Sequence, residues 1–433
     1  MKKIVASVGL VAIGASALQT ANAQSLAGGD TSKPWSVSAT LRGFYDDNTS
    51  TLPNDFSVPA GQHRDSFGYE VSPSAALVWS MGQTTANLGV LYSFRYFENV
   101  PLNSTDHSDH VFTINGGLTH AFNENVRVRV SDSFVIGQEP DLLRAGNTAA
   151  TFQRVDGDNI RNYGSIALDN QLTPVFGVNV GYDNAYYNYD SEGFDFVNFQ
   201  PSLSGALDRI EHRAHLEGTY QLQPETRTLV GYQFGETDYT ADELIGLNAF
   251  GSVFSEDRNS RQHTGYVGVE HNFSRELVAT IRAGASYSDY YNTPDDDSTW
   301  TPYLNATLKY TYAPESFVQG GFSYDRSATD VVGFGGASAY TLDSESAVVF
   351  ASVKHQIMPN LFGSVLGQFQ NSEYRGGQFD GETEQYYTAG IDLEYRINQY
   401  FSTHVGYNYD RLESDLGRTF DRNRVYVGVT ATY

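Results

Sequence analysis

The sequence predicts an all-β chain: a transmembrane, antiparallel, up-and-down β-barrel of about eighteen strands. Three observations predict it. Apolar and polar residues alternate with period two over segments of 12 to 15 residues, whereas soluble strands average about five to six. These segments are joined alternately by tight turns and by longer polar loops. Aromatic residues gather at both ends of the segments, where a bilayer has its two interfaces.

Taken in order, the chain opens with Lys2 and Lys3, an apolar run from Ile4 to Leu18, and Ala21-Asn22-Ala23. A charged start, a short apolar stretch and an A-x-A site predict a signal peptide over 1–23, cut before Gln24. The run is too short for a spanning helix. A brief lead, 24–33, then precedes the barrel, 34–433. Beyond Gln24 no apolar run approaches the length of a transmembrane helix. The chain has no cysteine, which excludes disulfides, a lipidated cysteine and Cys-metal chemistry. Its formal charge of −24 becomes −26 without Lys2 and Lys3. Such a surface will not seek nucleic acid.

The tight turns fall at 81–83, 123–125, 173–174, 223–225, 274–276, 313–315, 358–360 and 398–399, rich in Pro, Asn and Gly. The longer loops fall near 46–65, 98–108, 138–159, 190–207, 240–260, 292–298, 331–342, 375–383 and 414–419. Eight turns and nine loops require eighteen strands. Both termini then lie with the short turns, on the periplasmic side of the bacterial pattern. A repeat of this length also occurs in β-propellers, but a propeller blade packs four short strands where this unit holds two long ones. Strands end in clusters such as Tyr92-Phe94-Tyr96 and Tyr186-Tyr187-Tyr189, while Trp79, Phe122, Phe176, Tyr220, Phe273 and Phe401 sit by the turns.

The last strand carries a recognisable pattern. From Val425, apolar residues alternate as Val425, Val427, Val429, Ala431 and Tyr433, with Gly428 between. This resembles the aromatic-ended final strand of bacterial outer-membrane barrels. The resemblance implies that Gly428, Ala431 and Tyr433 form the signal read by the barrel-assembly machinery.

Alternation that names a lipid face also names a lumen face. Over Leu207–Leu222, Ile210, Ala214, Leu216, Tyr220 and Leu222 share one face, with His212 as an exception. Arg209, Glu211, Arg213, His215 and Glu217 share the other. Arg or Lys at mid-depth against lipid costs about 2–4 kcal/mol, so the charged face looks inward. Further pore-lining candidates are Arg42, Arg95, Arg127, Arg129, Glu270, Arg282, Lys309, Asp392, Glu394, Arg396 and Asp410. They would either pair and fill the barrel or line water; at this strand number a channel remains unless a loop blocks it. One residue breaks the scheme: Asp132 falls on the face of Val126, Val128 and Val130. Either a bulge resets the strand, or that face meets a partner.

The layout is similar to that of general porins, in which the third loop folds inward and sets acids against wall arginines. That similarity implies a constriction loop over 138–159 with Glu139 and Asp141, facing Arg42, Arg95, Arg127 and Arg129; the alternative is an ordinary surface loop. Asp156-Gly157-Asp158-Asn159 and Asp295-Asp296-Asp297 lack the spacing of a calcium loop and are expected to solubilise. No H-E-x-x-H or G-x-S-x-G occurs, and His212 and His215 point to opposite faces. No enzyme, metal or cofactor is expected.

Across 25–433 the chain resembles outer-membrane β-barrel porins of the β-barrel porin 2 type. The resemblance implies a cell-envelope location among outer-membrane lipids and lipopolysaccharide, as a monomer or trimer. The leading expectation for such a barrel is passive diffusion of small hydrophilic solutes. The alternative is a non-channel barrel serving as adhesin, scaffold or anchor of an exopolysaccharide-export assembly.

Overall fold

The structure is a computed structural model that describes residues 33–433 apart from 103, 139–147, 155–157, 191–201, 249–250, 294–296 and 336–338. Eighteen antiparallel strands form one sheet. In chain order they are β1 (Trp35–Asp46), β2 (Ser66–Met81), β3 (Thr84–Phe97), β4 (Ser108–Ala121), β5 (Val126–Gly137), β6 (Asn159–Gln171), β7 (Phe176–Tyr189), β8 (Arg209–Gln223) and β9 (Thr226–Tyr239). There follow β10 (Ser260–Asn272), β11 (Leu277–Tyr290), β12 (Asp297–Ala313), β13 (Ser316–Ser327), β14 (Asp343–Met358), β15 (Leu361–Arg375), β16 (Thr383–Arg396), β17 (Phe401–Ser414) and β18 (Phe420–Thr432). Each pairs with its neighbour in sequence, and β1 pairs with β18, so this sheet closes without an edge strand. The strands run from 12 to 17 residues, longer than the ten or so that a tilted strand needs to cross a bilayer.

Burial is inverted relative to a water-soluble protein. On β8, Leu216 is 52% exposed and Leu222 59%, whereas His215 and Glu217 are 5% exposed. Val230, Val267 and Val427 are likewise exposed, with Thr264, Arg282 and Asp410 buried. Apolar side chains on the outside and charged ones inside are stable only where the outside is hydrocarbon and the inside can satisfy polar groups.

Closure of the barrel rests on the terminal strand. Ser38 pairs with Thr432 and Asp46 with Arg424 along an unbroken register. Inside, the Ser38 and Thr432 hydroxyls meet at 2.9 Å and those of Thr40 and Thr430 at 2.8 Å. At the short-turn rim the Tyr433 ring lies 5.9 Å from that of Trp35, and Lys33 stands 3.9 Å over Tyr433. Glycine matters where inward side chains lie flat on the neighbouring strand. A Cβ at Gly406 would come within 2.2 Å of the Tyr426 ring, and one at Gly231 within 2.2 Å of the Tyr266 ring.

Asp132 does face outward. Pairing of β5 with β4 and with β6 shows no register shift, so no bulge accounts for it. Its register partners are Gly116 and Gly164, and Asn162 on β6 donates to its carboxylate at 3.1 Å.

Candidate functional site

The long-loop end of the barrel is closed in part by its own loops, because these contain buried anchors. The described residues 148–154 of the loop after β5 run inside the barrel between β15 and β4. Ala149 exchanges hydrogen bonds with the Gln370 side chain on β15: its N–H donates to Oε1 at 2.9 Å and its carbonyl accepts from Nε2 at 3.0 Å. Phe152 stacks on Tyr386 of β16, centroids 4.8 Å apart, and packs with Leu412 and Phe420. Arg154 donates to Asp109 on β4 at 2.6 Å, with both side chains at 2% exposure or less. The backbone N–H of Arg154 donates to the Thr51 hydroxyl at 2.7 Å.

Three other loops pack beside it. A five-residue helix, α1 (Leu203–Leu207), is capped by the Ser202 hydroxyl, which accepts from the Gly205 N–H at 2.8 Å. Leu207, Ala206 and Tyr189 bury against one another with Ala150 and Val332 at their edge. Val332 also borders a second cluster of Ile245, Val253 and Tyr340. Arg258, 1% exposed, ties the loops together by donating to the carbonyls of Ala206 (3.1 Å), Thr329 (2.9 Å) and Leu342 (3.3 Å). Asp208 at the end of α1 accepts from Ser204, Asn188 and the Tyr189 N–H. Burial nonetheless pushes its carboxyl up to about 6, with the nearby Glu243 adding to the effect.

Beside the crossing loop lies a chamber of about 700 Å³. Thr148 and Ala150 line one side, and the walls come from Arg209, Arg213, Gln262, Tyr266, Arg282, Tyr290, Tyr303, Asp325, Arg326 and Asp343. Most of these charges are neutralised locally. Arg209 donates to Glu211 at 2.7 Å, and Arg282 to Glu217 at 2.9 Å, where Tyr266 also donates. Arg326 reaches Asp343 at 2.8 Å and Glu345 at 2.9 Å, and Tyr290 donates to Asp343. His215 contacts Asn179 at 2.8 Å and Asp183 at 3.7 Å.

The remaining predicted lumen residues lie elsewhere along the wall. Arg42 and Arg95 both serve Glu70, at 3.7 and 3.0 Å. Arg129 meets Asp169 at 3.0 Å, and Glu270 meets Arg227 at 4.0 Å. Lys309 stands 5.9 Å over Phe317. Asp392 accepts from Tyr426 at 3.0 Å, and Glu394 from Arg396 at 3.0 Å. Asp410 accepts from Tyr386 and Thr388, with Arg424 at 3.5 Å. Arg127 is the second residue of β5, beside a short turn. The wall arginines Arg42, Arg95 and Arg129 are thus engaged by carboxylates of the wall.

Glu139 and Asp141 lie outside the described residues. In the described part of the loop, Arg154 meets the wall carboxylate of Asp109. Sequence reasoning missed Phe152, Arg154, Arg258, Tyr303, Asp325 and Arg326. The four loop and rim residues among them follow no period. Tyr303 and Asp325 do alternate inward, which was the available signal.

A family model described as Putative beta-barrel porin 2 matches residues 37–433. No curated protein matches the chain. Among solved structures, the outer membrane protein opdK from Pseudomonas aeruginosa is 12% identical, with 92% of this chain and 99% of that one covered and a TM-score of 0.43. Acinetobacter baumannii OccAB4 is 13% identical over 93% and 99%, also at 0.43. A BenF-like porin from Pseudomonas fluorescens Pf-5 is 8% identical over 93% and 99%, again at 0.43. Likeness at this level says nothing of solutes.

Proposed function

We propose, from the premise that this chain belongs to the Putative beta-barrel porin 2 family, that it is an outer-membrane channel for passive diffusion of small hydrophilic solutes. One observation carries the reading: a polar lumen whose charged side chains converge on a chamber of about 700 Å³ beside an inward loop. Pockets of this size hold single small molecules, so the channel is selective rather than a wide sieve. Charged rings and walls of this kind tune which solutes enter. Flow follows the concentration gradient. The long loops face outward beside lipopolysaccharide, and the termini face the periplasm, where the assembly machinery reads Gly428, Ala431 and Tyr433.

Purified protein in planar bilayers should give discrete conductance steps in potassium chloride. A correctly folded barrel that never conducts would defeat the channel reading. The buried anchors Arg154–Asp109 and Phe152–Tyr386 favour a second reading in that event, a closed surface barrel acting as adhesin, scaffold or export anchor.

A further inference from the structure

Three chamber groups differ from their neighbours. Arg213 on β8 is exposed to the lumen and makes no hydrogen bond or ion pair among the described residues. The other chamber arginines, Arg209, Arg258, Arg282 and Arg326, are held by carboxylates or carbonyls. Asp325 on β13 accepts from the Gln262 amide at 3.1 Å and from the Arg326 N–H at 2.9 Å, but no cation contacts it among the described residues. Arg213 and Asp325 line the same chamber without ion-pair contact, and Gln262, which donates to Asp325, lies over Gly235, the register partner of Arg213. The Tyr303 phenol lines the same chamber and has no hydrogen-bond partner among the described residues.

We propose that this gap is a binding site for a small zwitterion, its carboxylate on Arg213 and its ammonium on Asp325, with the Tyr303 hydroxyl beside them. The inference rests on the channel reading for its physiological use, since a solute held here is one in transit. Charge arrangement selects the class. A lone anion drawn to Arg213 meets the carboxylates of Glu211, Asp183 and Asp325, which line the same chamber. A lone cation drawn to Asp325 meets Arg213, Arg282 and Arg326 in the same chamber, where Asp343 is already held by Arg326. A molecule carrying both charges satisfies both poles at once, and like-charge repulsion penalises the other two. The amine and carboxylate of an amino acid supply such opposed charges on a body that the chamber volume accommodates.

Calorimetry on the detergent-solubilised full chain can compare three molecules with the same carbon count: β-alanine, propionate and propylammonium. β-Alanine is expected to bind at least about tenfold more tightly than either, which is the effect of one lost charge contact of about 1.4 kcal/mol. Arg213→Gln and Asp325→Asn should each lower β-alanine affinity about tenfold or more. Asp325→Asn should bring propionate level with it, and Arg213→Gln should do the same for propylammonium. Propionate binding as well as β-alanine to the wild type, or β-alanine indifferent to Asp325→Asn, would overturn the zwitterion site in favour of a plain anion site. Equal, negligible heats for all three would overturn it outright. Binding does not require conductance, so bilayers that conduct while calorimetry shows no preference would sink this inference and leave the channel standing.

Discussion

At the scale of single residues, the Arg154–Asp109 pair ties the loop after β5 to the wall. Both groups are almost wholly removed from water, at 2.6 Å. Removing one partner of such a pair leaves a buried charge and costs about 3–5 kcal/mol. Arg154→Met should therefore loosen the crossing loop while sparing the wall, seen as a larger single-channel conductance and faster proteolysis within 138–158. Unchanged conductance and cleavage would show that Phe152 and Ala149 suffice. Asp208 makes a pH-dependent prediction. Its ordinary value is 3.8 and its folded one is about 6. The docked loop thus binds a proton more tightly than the opened loop does. Docking is strongest below the ordinary value, weakens as pH rises through the window between them, and is weakest above about 6. Protection of the α1 amides, taken relative to the intrinsic exchange rate at each pH, should be greater at pH 4.5 than at pH 7.5, and Asp208→Asn should abolish that difference in protection.

At the scale of elements, β18 closes the sheet and its end is tied into place. The Tyr433 N–H donates to the Val37 carbonyl at 2.8 Å, and the Val37 N–H to the Tyr433 carbonyl at 3.0 Å. The ring adds the contact with Trp35 and the cation of Lys33, and an aromatic pair contributes about 0.5–1.5 kcal/mol. Tyr433→Asp would lose these and place a charge in the aromatic girdle. Such a variant should accumulate in the periplasm without the heat-modifiable migration of an inserted barrel; normal insertion would refute the role given to the terminal strand.

At the scale of the whole molecule, charge is divided between mouth and wall. The chain carries a formal −24, and its long loops are rich in acids, while lumen arginines and carboxylates mostly pair. At about 0.01 M salt the field of the loops reaches roughly 30 Å, and at about 1 M only roughly 3 Å. The channel should prefer cations at low salt, and that preference should shrink or reverse at high salt. Reversal potentials over a salt series measure it. A preference independent of ionic strength would place the deciding charges inside the chamber instead.

What the sequence determined by itself was the wall. Strand number, turn positions, the lipid face and the charged lumen face were legible because a barrel imposes a strict period of two on every strand, and residues such as Leu216 and Glu217 must take opposite sides. The lumen contents were decided by tertiary structure. Arg154 meets Asp109, Phe152 meets Tyr386, and Arg213 and Asp325 line one chamber because loops and strands far apart in sequence converge inside the barrel. No local pattern encodes such meetings: they depend on how far each loop reaches and on which strands curvature brings face to face. Asp132 illustrates the boundary. Period two placed it outward, and only the unbroken pairing of β5 with both neighbours excluded a bulge.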